Sequence, residues 1–272
     1  MSKVTGKNSR VNGFPCVGYF EVNVEALDEP VWCSDSDGGA IRVDATQDWN
    51  ALIRAYGKAP PASNLPGEFV QFQGVDSAGI GWNSGAAGAI VEKVEIFVPA
   101  FPARAIRHET TLGGNGAITA GAASGGASVV PTPVSGAGIA VTLDGAAVTG
   151  CVESRLALIC NTRPYGDSDV SGWMQRAAGH FEARLVYRVN MDGVSNVPAV
   201  NTDFAVTVPV GGSDKWECSW MRVLARKAVY DHGAREGRPK MVGMDVVMGW
   251  NSVKTGSRGF LKTSAGTAWP ST

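Results

Sequence analysis

Three histidines, five cysteines and two acid-rich loops are the residues of this 272-residue chain whose types could do chemistry. His108, His180 and His232 each stand alone, without a carboxylate or cysteine at the spacing a metal needs. Asp35-Ser-Asp37-Gly38-Gly39 starts like a calcium loop. It fails at the turn, where Ala40 replaces the required glycine, and at the close, where Thr46 replaces the bidentate glutamate. A β-turn explains it better, and Gly166-Asp167-Ser168-Asp169 reads the same way. No nucleophile elbow, phosphate loop or dinucleotide fingerprint is present. Cys16, Cys33, Cys151, Cys160 and Cys218 lack paired spacing and read as small buried hydrophobes in a reducing compartment. The expectation is a protein with no catalytic residue, no cofactor and no metal.

Charge narrows the partners. The net charge is −1 and only 18% of residues are charged, below the usual quarter. Either much of the surface is covered by other protein, or this is simply a β-rich chain whose turns consume its 35 glycines. The densest basic stretch holds Arg222, Arg226, Lys227, Arg235, Arg238 and Lys240, diluted by Asp231 and Glu236. It reads as a solvated loop or a subunit contact, because a nucleic-acid face needs a stronger cluster. No apolar run approaches the ~20 residues that span a bilayer, so the expectation is a soluble protein made in the cytoplasm.

Strands must position whatever the chain does. Val17 to Ala26 alternates, with Phe20, Val22, Val24 and Ala26 on one face and Tyr19, Glu21, Asn23 and Glu25 on the other. Ala183, Leu185, Tyr187 and Val189 share one side of a second strand, and Val242, Met244, Val246, Met248 and Trp250 share one side of a third. Runs at 69–74, 89–98, 139–143, 155–159, 202–208 and 216–224 fit the same pattern. Glu21, Glu25, Glu92 and Glu95 alternate with apolar neighbours and so share the face opposite the core. That face is either a lumen or bulk solvent.

Two helices are expected. Trp49, Leu52, Ile53 and Tyr56 fall at helical spacing, with Gly57 as the C-terminal stop. Ser171 could cap a short turn from Gly172 to Ala178, stopped by Gly179. The fold class that follows is all-β, with two related β-sandwich or open-barrel domains, each carrying a short flanking helix.

The two halves share a phrase. Asp44 through Trp49 to Gly57, then Gly67-Glu68-Phe69, is echoed by Asp169 through Trp173 to Gly179, then Thr202-Asp203-Phe204. This suggests a duplication of roughly 100–150 residues, with Trp49 and Trp173 as equivalent anchors beside Gly57 and Gly179. The domains are then 1–112 and 139–272, and 113–138, rich in Gly, Ala and Pro, is either a flexible linker or an arm lying on a neighbour.

At Gln47-Asp48-Trp49, Ala55-Tyr56-Gly57, Leu65-Pro66-Gly67-Glu68-Phe69 and Phe72-Gln73-Gly74 the chain resembles the tail tube (major tail) proteins of long-tailed bacteriophages, as it does at Thr5-Gly6-Lys7-Asn8. The resemblance covers mainly residues 5–100. It implies β-sandwich or open-barrel domains that close into rings, stacked around a lumen through which DNA passes without being specifically bound. A two-domain chain would form trimers that imitate hexamers and would meet other virion proteins. Phage head-decoration proteins share the β-rich, site-free character and are the alternative. A carbohydrate-binding module using Trp82, Trp250 or Trp269 is a third reading.

Overall fold

The computed structural model describes residues 2–4, 10–14, 16–27, 30–32, 40–42, 46–57, 64–75, 80–86, 88–102, 104–122, 134–165, 172–211, 213–231, 240–254, 257–258, 261–263 and 266–270. The Asp35–Gly39 and Gly166–Asp169 loops, Cys33, His232, Arg235 and Arg238 lie outside these residues. The chain is all-β.

Eight strands form the frame: β1 (Val17–Leu27), β2 (Thr46–Tyr56), β3 (Ala89–Pro99), β4 (Arg107–Gly114), β5 (Cys151–Cys160), β6 (Phe181–Asn190), β7 (Asp214–Asp231) and β8 (Lys240–Trp250). They lie side by side, all antiparallel, in the order β1-β2-β4-β3-β5-β6-β8-β7. The order of the first four is repeated by the second four.

Register repeats with it. In β1 the ladder to β2 slips at Gly18, between Val17 and Tyr19; in β5 the ladder to β6 slips at Val152, between Cys151 and Glu153. In β3 the ladder to β4 slips at Glu92, and in β7 the ladder to β8 slips at Leu224. Each slip inserts one extra residue and bends its strand. Aligning the bulges maps Ile53 onto Tyr187, an offset of 134, His108 onto Met244, an offset of 136, and Val91 onto Val223, an offset of 132. The small strand Phe69–Val70 lies on β3 as Asp203–Phe204 lies on β7. The chain therefore contains one four-strand unit twice.

The two units are joined edge to edge. β3 pairs with β5 from Lys93–Ile159 to Pro99–Glu153, so one sheet runs through both. One apolar core underlies it, with Phe20, Trp49, Ile53, Val94 and Leu112 from the first unit and Leu156, Leu185, Tyr187, Val223 and Met248 from the second. Over the first unit lies a small sheet of Thr119–Ala122, Ile80–Asn83, Gln73–Val75 and Arg10–Val11. Strands Asp203–Gly211, Leu261–Thr263 and Ala268–Trp269 contribute Val206, Val208, Leu261 and Trp269 to the core on the second side. The segment expected to be a linker contains the end of β4 and the strand Thr119–Ala122; 123–133 lies outside the described residues.

Both expected helices are strands instead. Residues 46–56 are β2, with Trp49, Ala51, Ile53 and Ala55 buried and Asp48, Asn50, Leu52 and Arg54 turned the other way. The helical spacing arose because Ala51 and Ala55 are too small to stand out as a period-2 stripe. Pairing with β1 and β4 decides the matter, as tertiary context overrides weak local propensity. In the second half, Gln175–Ala177 pairs with Arg163–Tyr165 as a hairpin. Gly57, at φ 143, ends a strand rather than a helix. Gly179 approaches the Asn161 carbonyl so closely that no side chain fits.

The proposed equivalence of Trp49 and Trp173 is also overturned. Trp49 lies on β2, and the position matching it in the second unit is Ala183 on β6. Trp173 sits between β5 and β6 and bridges to Gln47 of the first unit.

Candidate functional site

The sheet has one face turned to the core and one left open. Along β1 the open face carries Tyr19, Glu21, Asn23 and Glu25, and along β2 Asp48, Asn50, Leu52 and Arg54. Across β3, β5, β6 and β8 it continues through Glu95, Phe97, Arg155, Glu182, Arg184, Arg188 and Asp245. The four glutamates singled out from the sequence share this face, but arginines and lysines are interleaved with them.

Each glutamate has its own setting. Glu95 is 8% exposed and accepts from Arg155 Nη2 at 2.6 Å on both carboxylate oxygens, with Lys93 Nζ at 2.9 Å. Burial would raise its pKa, but the hydrogen bonds from Arg155 and Lys93 outweigh this and hold it below the usual carboxylate range. Arg155 and Arg107 also lie over the Phe97 ring. Glu21 accepts from the Tyr19 hydroxyl, a bond that raises the tyrosine's pKa. Glu25 is exposed opposite Asp48.

Glu92, the bulge residue, turns its carboxylate over Gly113, accepts from Thr162 Oγ1 at 2.6 Å and meets Arg176 Nε at 3.2 Å. Arg176 is the centre of this corner. Its Nη1 and Nη2 donate to Asp48 at 2.7 and 2.6 Å, and Nη1 also donates to the Gly114 carbonyl at 2.6 Å. Its own backbone N–H donates to Asn115 Oδ1 at 2.9 Å. Burial opposes the charged form, yet the bonds to Asp48 and the nearby Glu92 and Glu25 raise the Arg176 pKa. The corner ties the second unit's hairpin to β2, β3 and β4 of the first. Beneath it the Trp49 indole donates to the Gly116 carbonyl at 2.9 Å, and Gly116 N–H donates to the Met174 carbonyl at the same distance. Sequence reading passed over Arg176, because its partner lies 128 residues away.

The repeat is written in charge as well. Arg54 Nε meets Glu109 at 2.7 Å between β2 and β4, and at the equivalent position Arg188 Nε meets Asp245 at 2.6 Å between β6 and β8. Arg188 also reaches Glu153 at 3.0 Å, and Arg222 pairs with Asp203 at 2.9 Å. Most cations of the face are thus held by carboxylates of the same face. Lys227 lies on it too, at the position equivalent to Glu95, and has no ion-pair partner among the described residues. Arg226 points to the opposite side of its strand.

The remaining candidates are structural. His108 is 1% exposed with neither ring nitrogen bonded among the described residues, and desolvation lowers its pKa to about 4, so it sits neutral in the core. Burial pushes the Cys151 and Cys160 thiols up, and the Cys218 thiol up to about 12. Such thiols are poor nucleophiles. Trp269 is buried against Phe181 and Trp250, with its indole donating to the Pro66 carbonyl at 2.8 Å, so it is no sugar platform. Among the described residues no His, Cys, Asp and Glu cluster could hold a metal, and no helix is long and apolar enough to cross a membrane. A groove of about 410 Å³ opens beside Pro99, Arg104 and Glu153, but Arg155 and Arg188 on its wall already serve carboxylates and Arg107 lies over the Phe97 ring. What the arrangement offers is a broad, electrically balanced sheet surface. No family model matches the chain, and no curated protein matches it either.

Proposed function

We propose that this protein is a virion structural protein that assembles into stacked rings, forming a phage tail tube through which DNA passes. The observation that carries the reading is the duplicated four-strand unit: two copies share one sheet, with a core under one face and, among the described residues, only the Arg176 corner over the other. A chain built of two equivalent units occupies two places in a ring, so three chains fill six.

Dimensions support this. Three chains of eight strands, at ~4.8 Å between strands and a tilt of about 40°, close a backbone cylinder roughly 50 Å across. Allowing for side chains, the bore is roughly 35 Å, wider than a DNA duplex.

Electrostatics supports it as well. A conduit has to avoid gripping what moves through it, and every free Lys or Arg that meets phosphate adds salt-dependent affinity. On the open face Arg54, Arg155, Arg176 and Arg188 are each committed to a carboxylate. Their charge is cancelled locally, which leaves a smooth field for a polyanion.

Mass measurement and electron microscopy of the purified full chain provide the test. Stacked rings with a central lumen are expected. Protein found bound to a shell without a lumen would indicate head decoration, and a chain that stays monomeric with its virion partners present would exclude the tube.

A further inference from the structure

The seam between the two units is a template for the contact between chains. Within one chain, the third strand of the first unit, β3, pairs with the first strand of the second, β5. At the ends of the sheet lie the equivalent edges: β7 beyond Val223, and β1, on which Ser2–Val4 lies from Phe20 to Val22. Asp203–Gly211 covers β7 only as far as Arg222, just as Phe69–Val70 covers the start of β3 and leaves Lys93 onward for β5. From Ala225 to Asp231 that edge of β7 pairs with nothing among the described residues. Leu224 and Tyr230 beside it are half exposed, at 50% and 51%. A bare edge of this kind invites another strand.

We propose that β7 of one copy pairs with β1 of a second copy in the register of the β3–β5 seam, and that Lys227 and Glu21 lock it. The repeat supplies the register. Lys93–Ile159, Glu95–Ala157 and Phe97–Arg155 become Ala225–Glu25, Lys227–Asn23 and Val229–Glu21. In the existing seam the diagonal pair is Glu95 with Arg155, at 2.6 Å. Its counterpart is Lys227 with Glu21, the same geometry with the signs exchanged.

The exchange has a consequence for specificity. If β3 met β1, Glu95 would face Glu21; if β7 met β5, Lys227 would face Arg155. Both mispairings are repulsive, so only the alternating order is favoured. The seam also accounts for Lys227, which has no ion-pair partner among the described residues. On the core side, Val94–Leu158 and Ile96–Leu156 are replaced by Arg226–Val24 and Ala228–Val22, a less apolar contact suited to chains that meet after folding. In the single chain Ser2–Val4 lies on β1 from Phe20 to Val22, and the incoming five-residue strand displaces this three-residue one.

The inference rests on the ring reading above, and the two can fail separately. The experiment compares assembly of the full chain with Lys227→Glu, with Glu21→Lys, and with both. Each single reversal is expected to raise the protein concentration needed for assembly at least tenfold, and the double reversal to restore it. Thermal melts of the monomers check that the fold is retained. As an independent readout, Asn23→Cys with Lys227→Cys places two thiols directly opposite, at a separation a disulfide can span. Under oxidation it should give a ladder of covalent oligomers, absent from either single variant. Rings that form regardless of the charge reversals, with no ladder, overturn the seam and leave the tube. Charge-dependent assembly into something without a lumen upholds the seam and sinks the tube. A wild-type chain that never associates overturns both.

Discussion

Arg176 holds Asp48 through both terminal guanidinium nitrogens, at 2.7 and 2.6 Å, across 128 residues of sequence. Their side chains are only 11% and 13% exposed. With the backbone bonds of Gln47 to Gly172 and Met174, this pair sets the second unit's hairpin against the first unit's sheet. Because the pair is desolvated, losing one partner matters more than the pair is worth as a whole.

Replacing Arg176 by Ala should therefore cost about 3 kcal/mol, since Asp48 and Glu92 would be left facing one another without a cation. Arg184→Ala is the control. Arg184 pairs with Glu182 but is 56% exposed, and its loss should fall within about 0.5 kcal/mol. Urea midpoints of the two variants decide it, and equal losses would remove Arg176 from its special place.

Trp49 and Trp173, read as twins from the sequence, should behave differently. Trp49 is fully buried against Phe72 and under Gly114, where an added Cβ would come within 2.5 Å of the ring. Trp49→Ala should cost about 3–5 kcal/mol. Trp173 is only half buried, so Trp173→Ala should cost clearly less. Denaturant unfolding measures both.

Stability should fall in mild acid through His108. Above pH 6.5 its imidazole is neutral in the folded and unfolded chain alike. Below that, the unfolded chain takes a proton which the folded core refuses until about pH 4. Unfolding is thus favoured as pH falls through this window, by roughly 3 kcal/mol at its lower end. The second unit carries Met244 at the equivalent position. His108→Met should flatten the loss between pH 7 and 4.5 without lowering stability at pH 7.

Tyr187 offers a change of opposite sign. Its hydroxyl is buried with no hydrogen-bond partner among the described residues, burial raises its pKa, and Ile53 fills the matching place in the first unit. Removing an unsatisfied buried polar group should leave stability unchanged or raise it by about 1 kcal/mol. A thermal melt of Tyr187→Phe that drops by several degrees would reveal a partner for the hydroxyl.

By itself the sequence determined the all-β class and the faces of several strands. Alternation decides which side is buried wherever the inward residues are large, as at Phe20 and Val22, or Leu185 and Tyr187. It placed Glu21 and Glu25 away from the core for the same reason, but Glu92 and Glu95, three residues apart, share that face only because β3 bulges at Glu92. It hinted at duplication, but in the wrong phase, because a shared tryptophan is louder than a bulge. Ladder slips at Gly18 and Val152, and at Glu92 and Leu224, exist only once strands are paired, and they alone supply the true register. Strand β2 was hidden because alanine is small enough to satisfy either period, until β1 and β4 took its backbone hydrogen bonds. The Arg176–Asp48 pair was equally invisible, since nothing local marks which arginine meets which aspartate. Long-range charge pairing depends on the fold that brings the partners together, and only the tertiary structure decided it.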